Sequence, residues 1–406
     1  ISLGLVGSEM CIRDSPYVAA SLSNLAGLLR VQGQYAAAEP LHRRSLAINE
    51  KALGLDHPDV ANSLNSLAGL LSDLGQHAAA ETLYRRSLAI REKALGIHHP
   101  DVAGSLNNLA ELLSELGQYT GAEPLYRRSL AIVEKALGPD HPNVATSLNN
   151  IAGLLNDKGQ YRSAVLVLKR SRKIETTWLF RELPLLPDQS RTAQLRQLGY
   201  AWQLPFGLIS RYPPAAPLAL ETRLNRQGLL PEIEQLQALL LNTPDVDRAK
   251  VVQLQALTQQ LASVSLSPER RTAARVLRDK LQAELYRQMP ELQLQLVSIA
   301  AVAKALPADG ALVEFQRYRP FDGRKPRDER WGEAQYIALV LKPDATISAV
   351  PLGPAAVIDA LVHKGLSASA QNQSDSQAHW AQLSHLVLKP LLPHLSGSRQ
   401  WFLSPD

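Results

Sequence analysis

Asparagine recurs at a regular interval along the first 150 residues, as Asn24, Asn65, Asn107, Asn108, Asn149 and Asn150. An asparagine amide carries two N–H donors and one acceptor oxygen. Set one step apart along a surface, such amides match the alternating N–H and C=O of an extended peptide. They match each other equally well across neighbouring helices, where they would fix geometry rather than hold a ligand. Both uses are open at this point. His57, His99 and His141 share the same interval. Equivalent points on packed helices lie about 8–10 Å apart, whereas zinc needs each nitrogen at about 2.0–2.1 Å. These histidines therefore read as loop-packing residues, and no metal or other cofactor is expected. The arginine pairs Arg43–Arg44, Arg85–Arg86 and Arg127–Arg128 follow Glu39, Glu81 and Glu123 by four and five residues, the spacing of ion pairs on a helix surface.

No catalytic residue emerges. The one cysteine, Cys11, excludes a disulfide framework and a cysteine-ligated zinc. The sequence contains no G-x-S-x-G elbow, P-loop or G-x-G-x-x-G. The net charge of +5 is spread among acids rather than gathered on one face, so no nucleic-acid partner is expected. Apolar runs stay below the ~18 residues a membrane span needs, so no membrane role is expected either, and the chain reads as cytoplasmic.

The elements that must carry these residues are repeats. Pro16, Pro58, Pro100 and Pro142 open four copies of one 42-residue unit. Copies one and two agree at 29 of 42 positions, and copies two and three at 31 of 42. Within a unit, Leu64, Leu67, Ala68 and Leu71 line one helix face. Gly75-Gln76 interrupts the pattern, and Ala80, Leu83, Tyr84, Ser87, Leu88 and Ile90 resume it on a second helix. Gly96 closes that helix, and Pro100 opens the next at its first position. A helical hairpin of this size cannot bury its apolar face alone, so the units must stack into a solenoid. The asparagines lie on the first helix, away from its leucine stripe.

The unit ASLxNLAxLL…GQYxxAExLYRRSLAIxEKALGxxHP resembles tetratricopeptide repeats, in particular the 42-residue kind of kinesin light chains. The resemblance covers residues 16–174 and implies a superhelical array that takes a protein or peptide partner in its groove. The fourth copy departs from the pattern after Ala164, with Val165, Leu168, Arg172 and Lys173 at four repeat positions, as suits a terminal repeat.

Outside the array the reading is coarser. Residues 1–15 look like a translated library adapter and are set aside as non-native. Residues 175–305 form a helical spacer. Pro184, Pro187, Pro205, Pro213, Pro214 and Pro217 cut its first part into short segments. Leu254, Leu257, Leu261 and Val264, then Ser267-Pro268-Glu269, then Leu277, Leu281 and Leu285, describe two helices joined by a turn. An antiparallel hairpin is expected there, with a coiled-coil dimer as the alternative.

Residues 306–406 change period. A strand is expected over 311–318, a hairpin over 336–352, helices carrying Ile358, Leu361, Val362 and Leu366 and then Trp380, Leu383, Leu386, Val387 and Leu391, and a strand over 400–403. His363, His379, His385 and His394 fall on the helical stretches. The charged run Arg324, Lys325, Arg327 and Arg330, mixed with Asp322, Asp328 and Glu329, reads as a solvated hairpin loop. The final run from Trp401 to Asp406 reads as a buried strand at which a domain is cut short. ALVEFQRYRPFD (311–322), DERWGEAQYIALVL (328–341), Val350-Pro351-Leu352-Gly353-Pro354, LVLKPLLPHL (386–395) and WFLSPD (401–406) resemble the start of a CHAT domain, a bacterial caspase-like peptidase module.

The expected fold is thus mainly α: a superhelical solenoid, a helical spacer, and the N-terminal part of an α/β caspase-like domain. The resemblance implies a bacterial sensor array that regulates a cysteine peptidase whose His–Cys dyad is absent from these residues. A non-enzymatic adaptor or scaffold is the alternative.

Overall fold

The computed structural model describes residues 15–405, except 187, 198, 200, 243–246, 263–267, 289–293, 326–328 and 372–374. Cys11, Pro187, Val264, Ser267 and Arg327 lie outside the described residues. The chain divides into two compact units, one of Ile1–Gly159 with Asp322–Arg330, the other of Gln160–Phe321 with Trp331–Asp406. Among the described residues no helix is long and apolar enough to cross a membrane.

The first unit contains α1 (Pro16–Val31), α2 (Tyr35–Leu53), α3 (Pro58–Asp73), α4 (His77–Leu95), α5 (Pro100–Glu115), α6 (Tyr119–Leu137) and α7 (Pro142–Asp157). Odd-numbered helices open on proline, whose missing N–H costs nothing at a helix start. The histidines before these prolines are N-caps: the Nδ1 atoms of His57, His99 and His141 accept the backbone N–H of Asp59, Asp101 and Asn143 at 3.1, 3.2 and 3.1 Å. Between paired helices the chain turns through Gly33, Gly75 and Gly117 at φ of +71 to +74°, a conformation in which a Cβ is penalised.

Each hairpin is then fastened by a buried serine. Ser45, Ser87 and Ser129 donate at 2.8 Å to the carbonyls of Ala19, Ala61 and Ala103, always 26 residues back. Within one hairpin, Val60, Ala61, Leu64 and Ile90 make a core cluster on which Leu46 of the preceding hairpin packs; Val102, Ala103, Leu106 and Ile132, with Leu88 packed on them, are its counterpart in the next repeat. The surface pairs fall as their spacing requires: Arg43–Glu39, Arg85–Glu81 and Arg127–Glu123 at 2.7, 2.6 and 2.8 Å. Arg86 and Arg128 reach the preceding repeat instead, Arg86–Glu50 at 2.7 Å and Arg128–Glu92 at 2.6 Å.

The second unit begins with α8 (Tyr161–Glu182) and continues through α9 (Asp188–Gln197), α10 (Leu204–Leu208), α11 (Ala216–Leu224), α12 (Leu229–Asn242), α13 (Arg248–Ala262), α14 (Pro268–Gln288) and α15 (Ile299–Ala305). Leu257 of α13 packs on Ala274 and Leu281 of α14, while Lys250 meets Glu284 at 3.2 Å. These contacts run in opposite directions along the two helices, so they form an antiparallel hairpin. Leu277 faces solvent.

Strands β1 (Gly310–Tyr318), β2 (Gln335–Leu341), β3 (Ile347–Pro354) and β4 (Gln400–Ser404) form one sheet in the order β3-β2-β1-β4. β1–β2 and β2–β3 are antiparallel, and β4 returns parallel to β1 after α16 (Ala355–Ala370) and α17 (Ser376–Val387). Ala311, Val313, Ala338, Val340 and Ile358 fill one face of the sheet. The other face of β1 presents Glu314, which is buried with Arg223 of α11 at 3.1 Å. Helices thus cover the sheet on both sides.

Two sequence expectations need correcting here. Leu391 and His394 do not extend α17, because Pro390 and Pro393 remove the N–H groups a helix would need; Leu391 is buried from the turn that follows. β4 is not a buried strand. Trp401, Phe402 and Leu403 are exposed, since β4 is an edge strand with one hydrogen-bonded neighbour.

Candidate functional site

The face formed by α1, α3, α5 and α7 carries the asparagines, and the structure orders them into a defined pattern. Asn108 Nδ2 donates to Asn65 Oδ1 at 3.1 Å, and Asn150 Nδ2 to Asn107 Oδ1 at 2.7 Å. Ser72 Oγ donates to Glu115 Oε2 at 3.2 Å, and Arg30 Nε pairs with Asp73. Each of these four bonds spans 43 residues, one more than the repeat. Adjacent first helices are therefore in register with a one-residue offset. Asn65, Asn107, Asn108, Asn149 and Asn150 are half-buried and Asn24 is exposed. One such bond occupies only part of an amide's donor and acceptor capacity. The paired arrangement thus satisfies the interhelix use directly while keeping the amides at the surface of the groove.

Beside the row lies a cavity of about 1140 Å³, lined among others by Asn24, Asn65, Asn108, Tyr84 and His42. His42 is 3% exposed, and its Nδ1 has no hydrogen-bond partner among the described residues. Burial, with the Arg30 charge behind it, holds this imidazole below its ordinary pKa, and so neutral. At the next repeat, Gly69 leaves room for the arginine: a Cβ there would stand 2.9 Å from Arg30 Nη1. Burial is the largest single influence and works against the Arg30 charge, but the bond to Asp73 and the Asp73 charge together outweigh it, and the pKa is raised.

Sequence reasoning missed an acidic row in the same groove. Asp73, Glu115 and Asp157 occupy the same repeat position, and each faces a donor. Asp73 takes Arg30. Glu115, with Glu111 one turn earlier on α5, takes Arg330: Nη1 lies 3.2 Å from Glu111 Oε1, and Nη2 pairs with Glu115 Oε1. Asp157 Oδ1 accepts the N–H of Gly323 at 3.2 Å. Burial raises the Asp157 carboxyl to about 6, a rise that the Gly323 bond only partly offsets. Tyr126, buried beside Glu111 and Glu115, is likewise raised, first by burial and then by the Glu111 charge.

Arg330 therefore departs from the solvated loop expected of it. Its side chain is 12% exposed because two carboxylates one helical turn apart match its guanidinium. Arg324, by contrast, is 55% exposed and pairs with Asp322. The sequence carried a signal for the acceptor though not for the arginine: the column Gly27, Gly69, Glu111, Gly153 is glycine in three repeats and an acid in one. Among the described residues no group of His, Cys, Asp or Glu could hold a metal ion.

Helical hairpins of constant length, stacked at a constant offset and fastened at equivalent positions, define a solenoid repeat protein. The repeats themselves are tetratricopeptide repeats, whose family model matches residues 17–93 and 101–175. A putative kinesin light chain of Podosopora anserina with nearly identical TPR-like repeats is 27% identical, over 52% of this chain and 96% of that one, with a TM-score of 0.41. BtubC (BKLC) of P. vanneervenii is 22% identical over 40% of this chain, which spans 65% of BtubC, with a TM-score of 0.37. A Rap protein complexed with Competence and Sporulation Factor is 17% identical over 68% of this chain and 66% of its own, with a TM-score of 0.38. No curated protein matches the chain.

Proposed function

We propose that the repeats are a protein-interaction array whose first-helix face holds an extended segment of a protein partner, with Asn24, Asn65, Asn107, Asn108, Asn149 and Asn150 contributing amides to its backbone. The observation that carries this is the row of paired amides, of which Asn65 and Asn108, with Asn24, line a cavity of about 1140 Å³. The test is a peptide library panned on the full chain and then on N65A/N108A. Loss of the selected peptides, several-fold or more, at a melting temperature within a few degrees of the parent supports the groove, since each lost hydrogen bond removes about 0.5–1.5 kcal/mol. A variant that melts far lower yet binds its peptides unchanged assigns the amides to interhelix packing alone.

We further infer that residues 306–406 belong to a CHAT-type, caspase-like module and that the array senses a partner on behalf of peptidase chemistry. What favours this is the coincidence of the resemblance with the strands of one mixed sheet, whose β4 returns parallel to β1 after two helices. A cysteine peptidase needs a thiolate with a base in reach, and no cysteine follows Cys11 in this sequence. The 406-residue chain should therefore leave casein and a peptide library uncut. Reproducible cleavage that survives a contaminant control would refute that expectation. An adaptor or scaffold without peptidase chemistry is the alternative.

A further inference from the structure

The groove already holds a piece of this chain. Asp322–Arg330, the residues between β1 and β2, belong to the first unit. Arg330 sits between Glu111 and Glu115, and Gly323 donates its N–H to Asp157. Arg324 and Lys325 line the same cavity as Asn24, Asn65 and Asn108. The seat for the guanidinium is built rather than incidental. Glu115 is fixed from the neighbouring helix by Ser72 Oγ at 3.2 Å, and Glu111 stands where the other repeats have glycine. A planar fork facing two carboxylates selects arginine over lysine, because lysine is a point charge that cannot engage both in parallel. The same cavity is lined by His42, whose buried ring nitrogen no group among the described residues engages. The cavity thus offers a polar contact that the described part of the segment does not use.

We propose that the groove is selective for an extended, arginine-bearing segment of a protein partner, and that Asp322–Arg330 is its resident competitor, which the partner must displace. The proposal rests on the peptide-groove reading given above. Its chemistry is that of the described part of the segment, in which Arg330 meets Glu115 and Glu111 and Arg324 and Lys325 line the cavity. A partner gains access in proportion to the fraction of molecules whose groove is empty, so a seated internal segment lowers apparent affinity by that fraction.

The probe is a fluorescent peptide with the sequence of residues 319–333, added to the full chain and followed by anisotropy. The wild-type chain should bind it weakly and R330A about tenfold or more tightly. A full chain in which 322–330 is replaced by a Gly/Ser linker of equal length should behave like R330A, and it covers the case in which R330A fails to fold. A peptide with alanine in place of the arginine of position 330 should lose the tight binding, as should E111Q/E115Q in the R330A background. Equal binding by wild type, R330A and the linker chain would overturn the proposal, as would equal binding of the alanine peptide. Library peptides panned on R330A separate this from failure of the groove itself. Peptides that need Asn65 and Asn108 but ignore E111Q/E115Q overturn the arginine selectivity and leave the groove standing. Peptides indifferent to both sets refute both readings.

Discussion

Replacing Asp157 with asparagine should make the protein more stable above pH 6 and leave it unchanged near pH 4. The carboxyl is raised from 3.8 to about 6 in the fold, chiefly by burial. An acid whose folded pKa exceeds its unfolded one binds its proton more tightly in the native state, so stability falls as pH rises between the two values. At about 1.36 kcal/mol per pH unit, the interval sets a ceiling of roughly 3 kcal/mol on the cost of the ionised form. Asp157 is only half-buried, and water reaching it reduces the effective cost to about 1–2 kcal/mol. Asparagine keeps an acceptor oxygen for Gly323 N–H and removes the charge. For a unit of this size the gain corresponds to about 3–6 °C at pH 7.5. The assay is a pair of thermal melts at pH 4.0 and 7.5, followed by far-UV circular dichroism and by fluorescence. All five tryptophans, Trp178, Trp202, Trp331, Trp380 and Trp401, lie in the second unit. A change belonging to Asp157 should therefore appear in the helical signal. Equal displacement of the variant at both pH values, or a variant less stable at pH 7.5, would refute the reasoning.

Other outcomes follow from single contacts. Gly117→Ala, at φ +71°, should cost about 1 kcal/mol of urea stability from the left-handed turn alone; an unchanged midpoint would contradict it. Arg223→Met strands Glu314, whose side chain is 8% exposed, and should cost about 3–5 kcal/mol in urea denaturation read by tryptophan fluorescence. Adding Glu314→Leu should recover most of that loss. Residues 16–174 expressed alone should give a cooperative helical melt, because each repeat is held mainly by its neighbours; a non-cooperative trace would place the array's stability elsewhere in the chain.

The array was legible in the sequence because its period is written four times over. The helix boundaries follow from Pro58, Pro100 and Pro142, and the surface pairs from the spacing of Glu81 and Arg85. The bonds that join one repeat to the next were not legible in the same way. They run from residue 65 to 108 and from 107 to 150, and the extra residue comes from how neighbouring helices pack rather than from the repeat length. Arg330 was unreadable for a different reason. Its partners lie 219 and 215 residues away, and nothing local distinguishes it from the exposed Arg324. Glu314 did carry a local signal, a lone acid in the apolar run ALVEFQRY, of the kind that is rarely fully buried unless paired. What it could not give was the partner, since Arg223 sits among the proline-cut segments of a helical stretch with no clear period.

The first unit is discontinuous, and this has a consequence for synthesis. The seven helices described in the unit are all made by Gly159, whereas the segment that seats Arg330 is made last. At about 5–20 residues per second, the ribosome takes roughly 10–30 s to travel between them. During that interval the nascent chain carries Glu111 and Glu115 with no internal arginine to meet them. A basic segment encountered then competes with nothing, and one encountered after release competes with a tethered rival. On the competitor reading proposed above, the order of translation gives the newborn chain a brief period of heightened receptivity that the finished molecule lacks.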